Sequence, residues 1–238
     1  MRSDLPKIKK SFYSVVVKRV LDILLSATAL IVLSPVLLLV GILELVFHGR
    51  PVLYCTKRPG KDGKIFPMYK FRSMTNERGD DGYLLPEEKR LTKFGHFLRK
   101  TSIDELPGLL NVLKGDMSIV GPRPLLAEYM QYYSPRHAMR QAVKPGLTLE
   151  RIVKSDSKTW TWREQFENDI WYIEHISFAT DIRMVSAIIK AVFRGSEFRA
   201  SDTRVPFDGT NLDETRNRGE LGIKVHFESL EKGLEDGR

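Results

Sequence analysis

The longest apolar stretch of the chain lies near its start, at residues 23–43, and reads ILLSATALIVLSPVLLLVGIL. It carries no charge, and at about 1.5 Å per residue it is long enough to cross the ~30 Å hydrocarbon layer of a bilayer. By hydropathy alone this stretch predicts a transmembrane helix. A secretory signal peptide fits less well, because the apolar run is long and no cleavage site with small residues is evident after it.

Two features of the stretch favour a re-entrant helix, which enters and leaves the membrane by the same face. Basic residues flank it on both sides, so the positive-inside rule selects no orientation and allows both ends to be cytoplasmic. Pro35 lies near the middle and offers no N–H group to the carbonyl of Ile31, so the helix should bend there. The hydroxyl of Ser34 is placed to bond to a carbonyl one turn earlier. A crossing helix that tolerates Pro35 remains the alternative.

Beyond Phe47 the pattern becomes polar and predicts an α+β domain that is mainly helical. Residues 50–74 contain turn signals and two short extended segments, VLY and KIFPMYKF. VKPGLT, at residues 143–148, predicts a further turn. Apolar residues at helical spacing predict five helices, at residues 86–99, 103–113, 125–133, 162–175 and 176–193.

The predicted helix at residues 176–193 is amphipathic. Its apolar stripe runs through Ile182, Val185 and Val192, and basic residues lie away from that stripe. A helix of this kind can lie on a membrane surface or can cover the core of its own domain.

This pattern divides the chain into four parts. Residues 1–17 are a basic N-terminal segment, and residues 18–48 are the kinked, re-entrant membrane helix. Residues 49–199 form the α+β domain. Residues 200–238 are polar and predict a mobile tail.

The charge balance narrows the class of ligand. The 238 residues include 38 Lys and Arg against 30 Asp and Glu, which gives a net charge of +8. That excess favours phosphate-rich partners such as anionic lipid, a phosphorylated substrate or nucleic acid. No nucleic acid is expected, because the basic residues are interleaved with acidic ones and no nucleic-acid-binding motif is visible. The single cysteine, Cys55, excludes an internal disulfide.

The adjacent acids Asp104 and Glu105, in SIDE at residues 102–105, are the candidate chemical centre. Ser102 followed three residues later by Glu105 matches a capping box, which explains the pair without any function. Two carboxylates beside a phosphate also suit Mg²⁺, and a carboxylate can attack phosphorus to form an acyl phosphate. The basic residues that could complete a phosphate site are Arg99, Arg123, Lys57, Arg58, Lys70 and Arg72.

Several segments resemble the small monotopic phosphoglycosyl transferases of bacterial glycan assembly. The likeness is carried by KRVLDILLSATALIVLSPVLLL, KRPGKDGKIFPMYKFRSM, VKPGLT and FENDIWYIEHISFATDI. Its most specific part is GHFLRKTSIDELPGLLNVLKGDMSIVGPRPLLAEY. The resemblance runs from about Lys18 to Phe193 and is nearest to the enzyme of bacterial protein N-glycosylation that uses a UDP-diacetamido sugar.

The resemblance implies both a fold and a reaction. A re-entrant helix broken at Ser34-Pro35 would hold a compact cytosolic domain at the cytoplasmic face of the bacterial inner membrane. Residues 49–199 would be this catalytic phosphoglycosyl transferase domain, with amphipathic helices at the membrane interface. The enzyme would transfer a phospho-sugar from a UDP-sugar donor to undecaprenyl phosphate, with Mg²⁺ and a covalent intermediate.

The resemblance also implies roles for four residues. Asp104 would attack the β-phosphorus of the donor and release UMP. Glu105 would hold Mg²⁺, with an oxygen of Asp104 close by. Arg99 and Arg123 would bind phosphate.

The chain departs from the family at residues 149–160. It reads LERIVKSDSKTW there, where many members have a run similar to GWAQVNGRN. If that run helps to recognise the donor, this donor differs or the loop is rebuilt. Two other interpretations stay open. The basic charge allows a non-catalytic membrane-anchored scaffold that binds anionic ligands, and the altered loop allows a catalytically weak relative. The pattern selects no particular sugar, glycan pathway or oligomeric state.

Overall fold

The structure, a computed structural model, describes residues 10–149, 161–193 and 205–214. They form an α+β fold that is mainly helical, as the sequence predicts. The helices are α1 (Lys18–Val32), which follows a π-helical turn at Tyr13–Val17, α2 (Ser34–Phe47), α3 (Glu87–Arg90), α4 (Lys93–Thr101), α5 (Gly108–Lys114), α6 (Pro135–Ala138), α7 (Trp162–Glu174) and α8 (Phe178–Phe193). The strands are β1 (Leu53–Pro59), β2 (Ile65–Phe71), β3 (Ser118–Val120) and β4 (Gly146–Thr148). Short 3₁₀ helices lie at Lys61–Gly63, Ile103–Glu105, Ala127–Tyr132 and Met139–Ala142.

The predicted break in the apolar stretch separates α1 from α2. The two helices form a pair that is bent by 62°, and Ser34 begins the second of them. The Ser34 hydroxyl donates to the carbonyl oxygen of Ile31 at 2.7 Å, which confirms the predicted bond one turn earlier. Among the described residues no single helix is long and apolar enough to cross a bilayer, whereas this bent pair meets the criteria of length and composition together.

Polar side chains on α1 attach it to the rest of the fold. Arg19 donates to the carbonyls of Val112 and Leu113, in the last turn of α5, at 2.6 and 2.8 Å. Asp22 is buried and accepts from the Ser118 hydroxyl at 3.0 Å and the Ile119 N–H at 2.9 Å. The α1 helix is therefore fastened to both α5 and β3.

A second set of polar contacts attaches α2. Glu44 Oε2 lies 2.9 Å from Nδ1 of His48, and Nε2 of His48 lies 2.8 Å from the hydroxyl of Thr92. Thr92 in turn caps α4 by accepting from the Gly95 N–H at 2.9 Å. Both arms of the bent pair thus end in contacts with the same compact domain.

Two small sheets and α5 build the part of this domain that carries the candidate site. Strands β1 and β2 form the predicted antiparallel hairpin, in which Leu53 pairs with Phe71 and Pro59 pairs with Ile65. Asn111 of α5 holds β2, because its amide accepts from the Tyr69 N–H at 3.0 Å and donates to a β2 carbonyl at 2.8 Å. The buried side chains between the hairpin and α5 are Phe66, Met68, Val112 and Met117.

Strands β3 and β4 form a parallel pair, so part of the predicted turn at residues 143–148 is a strand. The backbones approach closely here. A Cβ atom at Gly146 would lie 2.1 Å from the backbone nitrogen of Gly121. Only glycine therefore fits at residue 146.

The predicted helix at residues 86–99 is two helices, α3 and α4. Leu91 is extended between them, and Thr92 starts the second helix with its side-chain cap. The 103–113 prediction is likewise divided, into a 3₁₀ turn followed by α5. The 125–133 prediction is a 3₁₀ helix at Ala127–Tyr132.

Helices α7 and α8 are present where the sequence predicts them. In α8 the buried face is rotated from the predicted stripe, because Met184 is 1% exposed whereas Ile182 is 53% exposed. Helix α7 begins with a complete capping box, formed by Thr161 and Glu164.

Residues 205–214 differ from the predicted mobile tail. Phe207 is 2% exposed and packs in a cluster with Tyr129, Trp162 and Phe166. The remainder of residues 200–238 lies outside the described residues, as do residues 150–160 of the divergent loop.

Candidate active site

The two candidate acids lie on a sharp turn between α4 and α5. Ser102 ends α4 with a positive φ of 58°, in the left-handed region, and the 3₁₀ helix Ile103–Glu105 follows at once. Both acids are largely buried, with exposed fractions of 9% for Asp104 and 8% for Glu105. Pro107 then leads into α5. The turn directs two adjacent carboxylates into the domain.

The capping-box interpretation of SIDE does not hold. The Ser102 side chain caps neither helix, and its buried hydroxyl has no hydrogen-bond partner in the described part of the chain. The carboxylate of Glu105 instead accepts from two cations. Its Oε1 lies 3.0 Å from Nζ of Lys70 and 2.8 Å from Nη2 of Arg123.

A third cation, Arg58, joins this group. Because directly paired residues share a face of a hairpin, the pairing of Arg58 with Phe66 and of Tyr54 with Lys70 places Arg58 and Lys70 on one face. Burial and the neighbouring Arg123 lower the pKa of Arg58 to about 10, and Glu105 is among the groups that partly offset them.

The pKa of Lys70 is shifted by the same surroundings. Burial lowers the pKa of Lys70, and the positive charges of Arg123 and Arg58 lower it further, while Glu105 raises it. The four groups are therefore close enough for their charges to interact strongly in a poorly solvated site.

This arrangement has an excess of positive charge. Among the described residues, Arg58, Lys70 and Arg123 surround the carboxylate of Glu105, and with the adjacent Asp104 these five side chains carry a net charge of +1 when all are ionised. Burial makes the repulsion between the cations costly. An additional anion such as a phosphate group would relieve that repulsion and bind at the same place.

The other predicted phosphate ligands make their described contacts elsewhere. Arg99 donates to the Ser73 hydroxyl at 2.9 Å and pairs with Glu87. Arg72 donates to the carbonyl of Arg50 at 3.1 Å. Lys57 is exposed, and the register places it on the opposite face of the hairpin from Arg58. Within the described part of the chain, the structure brings Lys70, Arg58 and Arg123 together around Glu105, whereas the contacts given above for Arg99 and Arg72 lie elsewhere and Lys57 lies on the opposite face of the hairpin.

A buried ion pair, which the sequence did not predict, fixes the loop that carries Arg123. Arg140 donates to the carbonyl oxygen of Arg123 at 2.6 Å, to Asp169 at 2.9 Å and to the Tyr133 hydroxyl at 3.1 Å. Burial opposes the charge of Arg140, but Asp169 raises its pKa. Asp169 lies in the motif FENDIWYIEHISFATDI, yet only the fold shows that its partner is Arg140 and that the pair supports Arg123.

The two adjacent carboxylates suit a Mg²⁺ site in which the protein supplies only part of the coordination. Among the described residues no group of three or more His, Cys, Asp or Glu could hold a metal ion by itself. Mg²⁺ often takes only one or two carboxylates and completes its coordination with phosphate oxygens and water. Asp104 and Glu105 supply such a partial set beside a site suited to phosphate.

Comparison with known proteins also indicates a sugar transferase. Residues 13–195 match the family model described as bacterial sugar transferase. The chain is 43% identical over 177 residues to the uncharacterized sugar transferase EpsL of Bacillus subtilis, an alignment that covers 74% of this chain and 87% of the relative.

Two further relatives have names that state an activity. The chain is 34% identical over 195 residues to the undecaprenyl-phosphate galactose phosphotransferase of Salmonella typhimurium, covering 74% of this chain and 40% of that protein. It is 38% identical over 191 residues to the UDP-glucose:undecaprenyl-phosphate glucose-1-phosphate transferase of Klebsiella pneumoniae, covering 76% of this chain and 40% of that protein. The chain therefore spans about two fifths of the length of these two relatives.

The family match covers most of the chain, and it includes the acid pair and all three of the cations around it. The chain belongs to the bacterial sugar transferase family, the family that its sequence motifs indicate, and it is a transferase.

Proposed function

We propose that the protein transfers a phospho-sugar from a UDP-sugar to undecaprenyl phosphate and releases UMP. The observation that carries this proposal is the convergence of Lys70 and Arg123 on one oxygen of Glu105, with Arg58 beside them. Such a group suits a substrate that brings two phosphates. The names of the Salmonella and Klebsiella relatives support undecaprenyl phosphate as the acceptor, and they differ in the sugar.

Asp104 is the proposed nucleophile. The contacts of Glu105 with Lys70 and Arg123 suit a charge-balancing role, so the attack is assigned to its neighbour Asp104, as the family resemblance implies. An oxygen of Asp104 would attack the β-phosphorus of the donor, and the bond from that phosphorus to the bridging oxygen would break, so that UMP leaves. The phosphate oxygen of the lipid acceptor would then attack the same phosphorus, break the aspartyl bond and regenerate the carboxylate.

In this scheme the three cations position the phosphates and stabilise the developing charge. Lys70, Arg58 and Arg123 would hold the phosphates in line and balance charge as each phosphorus–oxygen bond changes. Mg²⁺, held by Asp104 and Glu105 together with phosphate oxygens, would neutralise further charge on the group being transferred.

The bent helix pair supports a place at the cytoplasmic face of the bacterial inner membrane. Large apolar side chains on both arms are exposed to the surroundings, among them Ile31 at 74% and Leu38 at 68%. Lipid would cover these side chains. Since both arms are attached to one domain, a re-entrant helix accounts for the contacts better than a crossing helix, whose ends would lie on opposite sides. This geometry would hold the site at the depth of the phosphate of the lipid acceptor.

The central experiment measures UMP release from UDP-sugars with undecaprenyl phosphate present. Asp104→Asn should lower turnover by roughly 1,000-fold or more, because it removes the nucleophile while keeping the size of the side chain. Asp80→Asn, at an exposed position, is the matched control and should leave turnover unchanged.

Two results would contradict the proposal. Near-normal turnover in Asp104→Asn would remove Asp104 as the nucleophile. Binding of UDP-sugar by the wild type with no UMP release from any donor would favour a scaffold that binds anionic ligands.

A further inference from the structure

Residues 205–214, called here the C-terminal clip, lie beyond the residues 13–195 that the family model matches. The clip has an internally bonded turn. The carboxylate of Asp208 accepts from the N–H groups of Thr210 and Asn211 at 2.8 and 3.1 Å, and the Asn211 amide donates to the carbonyl of Pro206 at 2.9 Å. This turn presents Phe207 to the domain.

The clip is attached at both ends to the start of α7. The indole N–H of Trp162 donates to the carbonyl of Val205 at 2.9 Å, and the Arg163 N–H donates to the carbonyl of Leu212 at 2.9 Å. Arg163 also pairs with Asp213 through both carboxylate oxygens, at 2.6 and 2.8 Å, on the exposed side. Between these attachments Phe207 is almost completely buried.

Phe207 packs against aromatic side chains of the domain, one of which, Tyr129, adjoins the candidate active site. Its ring centroid lies 5.1 Å from that of Phe166, 6.1 Å from that of Tyr129 and 6.3 Å from that of Tyr133. Tyr129 is close enough to Arg58 to affect its pKa. The clip thus packs against Tyr129, which adjoins Arg58, one of the cations proposed to bind phosphate.

The contacts continue from Tyr133 to the acid pair. The Tyr133 hydroxyl accepts from Arg140, whose guanidinium also lies 5.8 Å from the Phe166 ring. Arg140 fixes the backbone of Arg123 at 2.6 Å, and Arg123 contacts Glu105 at 2.8 Å. Each step of this path is a direct contact between buried or half-buried groups.

We infer that the C-terminal clip is a positioning element of the active site, which acts through Tyr133 and Arg140 to set the place of Arg123. Phe207 is its positioning residue. The inference rests on the proposed function, because the effect is expected in the use of the phosphorylated donor. A displaced Arg123 would bind the donor phosphates less well, since a charge-assisted contact depends steeply on geometry.

The test compares four variants in the UMP-release assay and in thermal unfolding in the same detergent. Phe207→Ala should raise the KM for UDP-sugar by roughly 10-fold or more, and Phe207→Met, which fills most of the same space, should restore it. Tyr133→Phe, which removes only the hydroxyl, should raise the KM in the same direction. The double variant Tyr133→Phe/Phe207→Ala should raise the KM by a factor smaller than the product of the two single-variant factors, because both substitutions act on Arg140.

Asp80→Asn, at an exposed position outside the clip and its described contacts, is the control. It leaves both the clip and the aromatic path intact, so the KM for the donor should not change. A folded Phe207→Ala protein with the KM of the wild type would overturn the inference. If Phe207→Ala does not fold, an unchanged KM in Tyr133→Phe overturns it instead. A wild type that releases no UMP would defeat the proposed function itself, whereas an active wild type with unaffected variants defeats only the role of the clip.

Discussion

The hydroxyl of Ser34 donates to the carbonyl oxygen of Ile31 across 2.7 Å, at the point where Pro35 interrupts the helical hydrogen bonds. Pro35 has no N–H group for that carbonyl, so the side chain of the preceding residue replaces the missing backbone donor. A side-chain hydrogen bond therefore stabilises the bend.

Removing this hydroxyl should weaken the bend. In the proposed lipid surroundings, which contain little water, the carbonyl of Ile31 loses its side-chain donor in Ser34→Ala, which should cost about 1–3 kcal/mol. We expect a lower midpoint of thermal unfolding in detergent or nanodiscs. Ser34→Thr keeps a hydroxyl at the same position and should retain more of the wild-type stability. Equal midpoints for Ser34→Ala and the wild type would show that the bond does not stabilise the bend.

The proposed re-entrant arrangement predicts which residues a reagent outside the cell can reach. Cys55 is exposed on β1 and is the only cysteine of the chain, and Lys10 lies before the bent pair. In intact cells a membrane-impermeant maleimide should label neither native Cys55 nor Lys10→Cys in a Cys55→Ser background. Both should react after the membrane is permeabilised. Labelling of Lys10→Cys from outside would establish a crossing helix.

Neutralising Glu105 should alter the dependence on Mg²⁺. Glu105→Gln removes one of the two carboxylates proposed to hold the ion, and it leaves Lys70 and Arg123 without the charge between them. We expect the Mg²⁺ concentration for half-maximal UMP release to rise by about 10-fold or more. Glu88→Gln, at an exposed position, is the control. A superimposable Mg²⁺ titration for Glu105→Gln would exclude Glu105 as a ligand.

His137 should make the fold sensitive to mild acid. Its ring stacks on Phe166 with centroids 4.3 Å apart, and its buried Nδ1 has no hydrogen-bond partner among the described residues. Burial lowers the pKa of His137, and the positive charges of Arg163, Arg136 and Arg140 lower it further, while Glu167 raises it.

The direction of the effect follows from that lowered pKa. Below the ordinary histidine pKa of about 6.5 the unfolded chain binds a proton more readily than the native protein does, so stability should fall as the pH falls through this range. We expect the unfolding midpoint to drop between pH 7.5 and pH 5.5, and to drop less in His137→Gln. His96→Gln, at an exposed position, should behave as the wild type. A drop of equal size in His137→Gln would assign the acid sensitivity to other groups.

Local patterns predicted the features that depend on neighbours in sequence. The bend at Ser34-Pro35 follows from the chemistry of proline, and the β1–β2 hairpin follows from alternating residues around a turn. Helices α7 and α8 follow from apolar periodicity. In each case the deciding interactions lie within a few residues.

Features that depend on distant partners were not predictable in the same way. The SIDE pattern is a valid capping signature, but Ser102 adopts a left-handed conformation and Glu105 turns to Lys70 and Arg123. A basic residue near an acid in sequence, such as Arg99, pairs with Glu87 instead. No local signal marks Phe207 as a buried residue, because the buried side chains around it come from positions more than forty residues earlier in the chain.

The attachment of Asp22 to β3 has a consequence for where catalysis can occur. From Asp22 to Ser34 the helix rises about 18 Å at about 1.5 Å per residue, a little more than half of the ~30 Å hydrocarbon layer. This part of α1 is attached to the domain at Asp22 and ends at the break before Pro35, so its length sets the distance between the two points. Adding or deleting a single turn would shift the reacting groups against the lipid surface by about 5 Å without altering any of them. In the proposed re-entrant geometry, the length of this one helix would set the distance of the active site from the membrane surface.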